Sequence, residues 1–293
     1  MKKTILSIGE IIWDVYPESR EIGGAPLNFA AHCALCGAHS LLLSAVGKDE
    51  LGTEALQFAK HVGVVTDLVA CVDAPTGQCT VTLNENGIPS YCIEPNAAYD
   101  HIAVSANVKK EIVSGMDACA FGTLIQRTSA ARETLRELLQ LGSFREIFCD
   151  INLRPASYDR ESILFCLKNA TILKLSREEE PILRQLGIYD APTDAPKDIL
   201  HALATTFGQL HTVLLTDGGN GSYAWHRDGD LILFEPAFDA GPVISTVGAG
   251  DSFGAAWLVS HLSGDGFGES LHKAAVRSGT VVAHREAIPL DHQ

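Results

Sequence analysis

The sequence lacks any apolar run long enough to cross a membrane, although 46% of its 293 residues are hydrophobic. A membrane-spanning helix needs about 20 consecutive apolar residues. The first apolar run, Thr4–Ile8, is soon interrupted by Gly9, Glu10 and Asp14, and no small-residue cleavage site follows it. This pattern argues against a secretory signal peptide. We therefore expect a cytoplasmic protein with a large core and no membrane partner.

Positive charge is also scarce. The chain has 22 Lys and Arg residues and 36 Asp and Glu residues, which give a net charge of −14. Nucleic-acid binding relies on Lys and Arg to neutralise phosphates, so this balance argues against a nucleic-acid partner. The eight cysteines are scattered and mostly lie in apolar runs, which indicates reduced, buried thiols. A zinc or redox site at Cys33-Ala-Leu-Cys36 is a weaker alternative, since no second such pair exists.

Two common nucleotide-binding motifs are missing. A P-loop needs the pattern G-x4-G-K-[ST], which does not occur in this chain. The dinucleotide-binding pattern G-x-G-x-x-G is matched by Gly248 and Gly250, but Phe253 stands at the third glycine position. The sequence therefore excludes a P-loop enzyme and argues against a nicotinamide-dependent oxidoreductase.

Short apolar runs alternate with helical patterns along most of the chain. This alternation predicts an α/β fold with a mainly parallel sheet and helices on both faces. The predicted strands are Thr4–Ile8, Leu41–Val46, Asp117–Phe121, Glu146–Ile151, Thr171–Leu175 and Thr212–Thr216, and predicted helices include Pro26–Cys36, Glu50–His61 and Ser129–Leu141.

One part of the chain departs from this alternation. The β-like runs Gln78–Leu83 and Ser90–Ile93 are joined through Asn86-Gly87, a strong hairpin signal, and Ile11–Tyr16 follows the first strand without a helix. These runs predict a small antiparallel sheet outside the main one. Such a sheet can cover a ligand at the carboxyl edge of the main sheet, and a plain edge extension is the alternative.

The stretch Gly248-Ala249-Gly250-Asp251 stands at the start of a predicted helix. Glycines allow backbone amides to approach an anion closely, and the helix dipole favours negative charge at this end. Asp251 is either a helix cap or a general base beside a bound phosphate, and the local sequence does not separate these roles.

Two further stretches place polar groups where a ligand can bind. Gly23-Gly24 precedes a helix that carries Asn28 one turn later, and together with Asp14 this suits hydroxyl binding, with a plain turn as the alternative. Asp150, Asn152 and Arg154 alternate at the end of a buried strand, so their side chains point in one direction. They indicate a ligand site, or a turn with an internal salt bridge.

Two other motifs are weaker when read alone. Ser176-Arg-Glu-Glu179 has the pattern of a capping box, and Glu179 is also a candidate for holding Mg²⁺ through water. Thr216-Asp217-Gly218-Gly219-Asn220-Gly221 follows a buried strand, where glycines suit either a nucleotide or a tight turn.

In this order the motifs resemble the PfkB (ribokinase-like) family of carbohydrate kinases over nearly the whole chain. GGAPLNFAAHCALCGAHSLLLSAVGKDELG is similar to the family's N-terminal signature, and STVGAGDSFGAAW is similar to its C-terminal signature, D-T-x-G-A-G-D. GGAPLN, FGTLIQR, DINLRP and LKLSREE resemble the fructokinase branch most. The resemblance implies a three-layer sandwich formed by residues 1–293, with a small β lid from about 11–24 and 77–100.

The resemblance also implies roles for particular residues. Asp251 would take the proton from a sugar primary hydroxyl, and the amides of Gly248, Ala249 and Gly250 would bind the transferring phosphoryl group. Asp14, Gly24, Asn28 and Arg154 would hold the sugar, and Thr216–Gly221 would line the nucleotide site. ATP with Mg²⁺ would be the phosphoryl donor, Glu179 would reach the Mg²⁺ through water, and the lid would provide a homodimer surface.

Three positions differ from the family pattern. Ser245 replaces the usual first Asp of D-T-x-G-A-G-D, Ser176 replaces the Asn of N-x-x-E, and Glu286 stands where relatives often carry Gly. Because the first and third of these positions help to form the family's monovalent-cation site, we predict weak or absent potassium activation. The leading interpretation is a fructose kinase. The alternatives are a kinase for ribose or for a sugar acid such as 2-keto-3-deoxygluconate, and a catalytically weak sugar- and nucleotide-binding relative.

Overall fold

The computed structural model describes residues 2–83 and 89–290, and the side chains of 81–83 and 89–91 are left out of the description. In chain order the strands are β1 (Thr4–Ile8), β2 (Ile12–Val15), β3 (Arg20–Gly23), β4 (His39–Gly47), β5 (Val69–Val72), β6 (Gly77–Leu83), β7 (Pro89–Ile93), β8 (Met116–Phe121), β9 (Phe144–Asp150), β10 (Ile172–Ser176), β11 (Thr212–Thr216), β12 (Ser222–His226) and β13 (Leu231–Glu235). The helices are α1 (Ala25–Leu35), α2 (Glu50–His61), α3 (Ala106–Val113), α4 (Ser129–Leu141), α5 (Arg160–Asn169), α6 (Glu180–Gln185), α7 (Pro196–Thr206), α8 (Ala249–Ser263) and α9 (Phe267–Val282).

The central sheet of the described residues has nine strands in the order β13-β12-β11-β10-β9-β8-β1-β4-β5. In this spatial order, every neighbouring pair between β11 and β5 is parallel. The pairs β11–β12 and β12–β13 are antiparallel. The predicted mainly parallel α/β sheet is therefore confirmed. Each of the six predicted strands is present, with ends that differ from the prediction by at most two residues.

Helices cover both faces of this sheet, as predicted. Successive strand residues point to opposite faces. Leu6 and Ile8 belong to the hydrophobic cluster that includes residues of α3, α4, α5 and α7, whereas Ile5 belongs to the cluster that includes residues of α1, α8 and α9. Helix α4 buries only one stripe, formed by Ala131, Leu135 and Leu138. The helical spacing of these apolar residues explains why the sequence alone placed this helix correctly.

Helix α8 is apolar around its whole circumference, and every residue from Ser252 to Ser260 is buried. A helix with this composition is stable in water only when other elements cover all of its sides. Here α8 packs on the sheet between α1 and α9. The surrounding elements therefore hold the N-terminal end of α8 in a defined place at the sheet edge.

The second sheet has the order β3-β2-β6-β7. Its strands β6 and β7 form the predicted antiparallel pair, and the Asn86-Gly87 turn lies outside the described residues. The prediction of a wholly antiparallel sheet was wrong, because β2 pairs with β6 in parallel. The reason is topological: the chain makes β3, α1, β4, α2 and β5 between these two strands, so no hairpin connects them.

Strands β5, β12 and β13 were absent from the sequence prediction. β12 and β13 follow the glycine-rich turn after β11 and extend the sheet by two antiparallel strands. From the sequence, the glycines of this turn suited either a nucleotide or a tight turn. The turn also reverses the chain, which is why the strand after it runs antiparallel to β11.

Candidate functional site

A cavity opens at the carboxyl ends of strands β1, β8 and β9. Its wall includes polar and charged side chains from three places: Glu10 after β1, Asp150, Asn152 and Arg154 at the end of β9, and Asp251 on α8. Ligands of open α/β sheets bind outside the carboxyl ends of the strands, so this is the expected edge for a ligand site. The three residues predicted to point together from β9 all line this cavity.

Asp251 lies in the first turn of α8 and is joined to α1 by a hydrogen bond. The Asn28 Nδ2 donates to the Asp251 Oδ2 at 2.8 Å. Burial raises the pKa of Asp251, and the bond from Asn28 and the charges of Lys174 and Arg154 oppose this rise. The Oδ1 of Asn28 is buried and has no hydrogen-bond partner. The buried amide is therefore a free acceptor directly beside the carboxylate.

The start of α8 is formed by glycines that bring other groups very close. Gly248 has φ of +78°, and a Cβ added there would lie 2.7 Å from the carbonyl oxygen of Ala287. A Cβ on Gly250 would lie 3.1 Å from the Lys174 Nζ. No side chain caps the N-terminus of α8. Because the first amides of a helix have no partner within it, this end of α8 can bind an anion.

Lys174 pairs with Asp150 beneath this helix terminus, with 2.7 Å between Nζ and Oδ2. The two residues are opposite each other on neighbouring strands β10 and β9. Lys174 is only 4% exposed, and burial alone would lower its pKa. The charge and hydrogen bond of Asp150, together with the charges of Glu179 and Asp251, outweigh burial and raise this pKa. Burial raises the pKa of Asp150 to about 6, which leaves the pair ionised at neutral pH.

The sequence analysis missed Lys174 and Glu10. A lysine inside the apolar run ILKLS indicates a buried charge pair, because a buried lysine needs a partner of opposite charge. Glu10 is buried after β1 and accepts a hydrogen bond from the amide of Ala25 at 3.1 Å. Burial raises the pKa of Glu10 to about 7. Its position directly after the first strand was the signal for a group at the sheet edge.

Glu179 links two segments through its carboxylate. Its Oε1 accepts from the amide of Leu153 and its Oε2 from the amide of Ser176, each at 2.7 Å. The Ser176 hydroxyl in turn accepts from the amide of Glu179 at 3.3 Å, so the reciprocal bonds of a capping box are present. Helix α6 begins three residues later than this box predicts, at Glu180 rather than Arg177.

Among the described residues, no group of three or more His, Cys, Asp or Glu side chains could hold a metal ion. Mg²⁺ in kinases keeps several waters and is bound mainly by substrate phosphates and one or two carboxylates. Both oxygens of Glu179 already accept backbone amides, which fits contact with a metal through water better than direct ligation.

Asp14 lies apart from the cavity that holds Asp251. It lines a neighbouring groove with Ser245 and Glu286, between the second sheet and the last described residues. Burial raises the pKa of Asp14, and the charge of Arg154 opposes the rise, so the two sites are electrostatically linked. Gly24 allows a close approach, because a Cβ there would lie 2.6 Å from the Glu10 carbonyl oxygen.

The turn Thr216–Gly221 follows β11 at the same carboxyl edge, but it does not line the cavity around Asp251. Gly218 and Gly219 are exposed, and a Cβ at either one would meet nothing within 4 Å. These glycines therefore do not relieve contacts within the protein. Gly221 is different, because a Cβ there would lie 2.4 Å from the Glu235 carbonyl oxygen of β13.

Comparison with known proteins explains this arrangement. Residues 4–292 match the sequence model of the family described as pfkB family carbohydrate kinase. The chain belongs to this family of carbohydrate kinases. It is thus a phosphotransferase with an alcohol group as acceptor, as the family resemblance of the sequence motifs predicted.

Its relatives act on several substrates. Fructokinase-2 of Oryza sativa subsp. japonica is 26% identical over 87% of this chain and 79% of its own length. A 5-dehydro-2-deoxygluconokinase of Bacillus anthracis is 24% identical over 84% of this chain and 75% of its own. The structure of a fructokinase with bound ATP from Xylella fastidiosa has a TM-score of 0.83 at 21% identity, covering 98% of this chain and 94% of that one. This last likeness shows that the two chains share a fold.

No helix of the described residues is long and apolar enough to span a bilayer. The eight cysteines, all within the described part of the chain, are free thiols.

Glu10 should make the stability of the protein depend on pH. Its pKa rises from 4.5 to about 7 on folding, so the native state keeps a proton that the unfolded chain releases between these values. The stabilisation is complete below pH 4.5 and is lost as the pH rises to about 7. Relative to Glu10→Gln, we expect the wild-type free energy of unfolding to fall by up to about 3 kcal/mol over this range.

Urea unfolding of both proteins at the two ends of the pH range measures this difference. Glu286→Gln is the control, because it removes an exposed carboxylate and should follow the wild type. Parallel pH profiles for wild type and Glu10→Gln would contradict the expected effect.

Proposed function

We propose that this carbohydrate kinase transfers the γ-phosphate of ATP to a primary hydroxyl of fructose. The observation that carries the proposal is the half-buried carboxylate of Asp251 in the first turn of α8, directly after the glycines that open the helix N-terminus. A base and an anion-binding site at one place suit an in-line reaction, in which the attacking oxygen loses a proton as it meets the phosphorus.

Asp251 would accept the hydroxyl proton while the sugar oxygen attacks the γ-phosphorus and ADP leaves. The amides of Gly248, Ala249 and Gly250 would stabilise the negative charge on the transferring phosphoryl oxygens. The Lys174 ammonium lies against Gly250 and would add positive charge at the same point. Most of the catalysis would come from positioning and from these fixed charges.

The sugar would occupy the cavity between α1 and β9. The free Oδ1 of Asn28 is a ready acceptor for a hydroxyl, since a buried polar atom without a partner is costly until a ligand satisfies it. Arg154 and Glu10 line the same cavity. Asp14 and Gly24 would hold the sugar from the second sheet and from the start of α1.

ATP would lie along Thr216–Gly221, where Gly218 and Gly219 leave the backbone open to a ligand. The ATP bound to the structurally similar fructokinase supports this choice of donor. Mg²⁺ would neutralise the phosphates and would be held by them and, through water, by Glu179.

The charges in the cavity favour a neutral sugar over a sugar acid. Glu10, Asp150 and Asp251 all line it, and Arg154 is the cation among the lining residues. Lys174 is already paired with Asp150. The carboxylate of a sugar acid would therefore lie among like charges, which opposes its binding. The fructokinase relative agrees with this preference, and the 5-dehydro-2-deoxygluconokinase relative makes a panel of sugars necessary.

A sugar panel tests the substrate directly. Fructose, ribose and 2-keto-3-deoxygluconate are each supplied with ATP and Mg²⁺, and ADP release is followed with a coupled assay. We expect the highest kcat/KM for fructose. Good turnover with another sugar, beside none with fructose, would overturn the choice of substrate. Binding of sugar and ATP without ADP release would instead show a catalytically weak relative.

Asp251→Asn should separate catalysis from binding. The amide keeps the size of the side chain and still accepts the bond from Asn28, but it cannot take a proton. We expect kcat to fall by about 10²–10⁴-fold while sugar affinity stays close to that of the wild type. Asp265→Asn is a matched control at the other end of α8, where the carboxylate pairs with Lys273 on the surface. Near-full activity of Asp251→Asn would disprove the assignment of the base.

Potassium should have little effect on this enzyme. Ser245 carries no charge, and its hydroxyl already accepts from the amide of Val247 at 3.2 Å. Exchange of potassium for sodium or choline at constant ionic strength should leave kcat essentially unchanged. A severalfold stimulation by potassium would show that a monovalent cation binds despite Ser245 and Glu286.

Three wider proposals rest on the family and on the position of the second sheet. We propose that residues 1–293 act as one catalytic unit in which this sheet closes over the sugar as a lid. Asp14 of β2 lies near enough to Arg154 for the two charges to interact, which supports a lid position beside the cavity. The same sheet is a candidate homodimer surface. The eight free thiols agree with a cytoplasmic location, where thiols stay reduced.

A further inference from the structure

A buried histidine on α1 joins three distant parts of the chain. His32 is fully buried, with an exposed fraction of 0%. Its Nε2 lies 2.9 Å from the carbonyl oxygen of Ala287. Its Nδ1 lies 3.1 Å from the Nε and 3.0 Å from the Nη2 of Arg277 on α9. The ring therefore connects α1 to α9 and to the last described residues of the chain.

The two contacts of His32 determine which ring nitrogen carries the proton. Arg277 is only a donor, so Nδ1 must accept, and a carbonyl is only an acceptor, so Nε2 must donate to Ala287. The neutral ring with its proton on Nε2 satisfies both contacts. Burial lowers the pKa of His32 to about 4, so this form is present at neutral pH.

Ala287 in turn lies against the start of α8. A Cβ built on Gly248 would come within 2.7 Å of the Ala287 carbonyl oxygen and within 2.9 Å of its Cα. The backbone of Ala287 therefore supports the helix N-terminus that we assign to phosphoryl binding. A small movement of Ala287 would leave Gly248 free to move as well.

Asn28 and His32 are four residues apart, so they lie on the same face of α1. Asn28 holds the carboxylate of Asp251, and His32 holds the segment that supports Gly248. One helix face thus controls both the base and the anion-binding amides. A single rigid element of this kind can keep the two groups aligned during the reaction.

We propose that His32 and Arg277 are positioning residues for phosphoryl transfer, which hold Ala287 and thereby the N-terminus of α8 in the reactive geometry. This proposal rests on the proposed function, because it assigns the phosphoryl site to Gly248–Gly250. Neither residue touches the reacting atoms, and both act through Ala287. Their effect should therefore fall on kcat more than on the KM for the sugar.

The test compares His32→Leu, His32→Gln and Arg277→Met in the full chain. We expect His32→Leu to lower kcat by about 10- to 100-fold, since a misplacement of about 1 Å is enough for such a loss. The fructose KM should change much less. His32→Gln should lower kcat less than His32→Leu does, because the glutamine amide can still donate to Ala287. Arg277→Met should cause an intermediate loss of kcat, because it leaves the contact of His32 Nε2 intact. Cys33→Ala is the matched control, since Cys33 is the next residue of α1 and is equally buried. Its side chain belongs to a different hydrophobic cluster from that of Ala287.

Amide hydrogen exchange of residues 246–252 gives a readout that does not need activity. We expect faster exchange there in His32→Leu than in Cys33→Ala. Folded His32→Leu with wild-type kcat, or with unchanged exchange at 246–252, would overturn the proposal. Equal losses of kcat in His32→Gln and His32→Leu would also overturn it, because packing alone would then explain them. If the wild type phosphorylates no sugar, the proposed function fails, and the exchange experiment still decides the role of His32.

Discussion

The hydrogen bond between Asn28 and Asp251 crosses 223 positions of the chain, and the candidate site depends on it. It requires α8 to approach α1 and the sheet closely. Gly254 permits this approach, because a Cβ there would lie 2.9 Å from the Phe148 ring and 3.3 Å from the Phe29 ring. Gly254, in the first turns of α8, is therefore needed for the close packing that brings Asp251 to Asn28. It sets the depth of α8 in the fold, and this depth places the carboxylate at the cavity wall.

The charged groups near the N-terminus of α8 are arranged so that each one has a counterion or a hydrogen bond. Lys174 is paired with Asp150, and Asp251 is bonded to Asn28. An unpaired buried charge would be far more costly than either contact is favourable. Glu10 also accepts a backbone hydrogen bond, but burial still raises its pKa to about 7. The charge of this carboxyl group in the cavity wall therefore changes with pH close to neutrality.

Much of the fold could be predicted because the apolar runs of the parallel strands and the apolar stripes of α2 and α4 have clear periodicity. β12 and β13 could not, since polar Ser222 and His226 limit the apolar run of β12, a polar turn separates the two strands, and β13 is an edge strand without a buried residue. The glycines and acids of the site were visible as motifs. Lys174, Glu10 and His32 were not, because their importance comes from partners far away in sequence. A local pattern cannot show that Ala287 supports Gly248.

This last contact affects how the protein can become active during synthesis. Asn28 and His32 leave the ribosome well before Asp251 and Ala287. The strands and helices before them can pair and collapse while the chain is still growing. The Asp251 carboxylate and the support of Gly248 are nevertheless added only when the segment that carries Asp251 and Ala287 docks on α1. Under the proposed function, a nascent chain would therefore stay inactive until Ala287 has left the ribosome and its segment has docked on α1, whatever the state of its sheet.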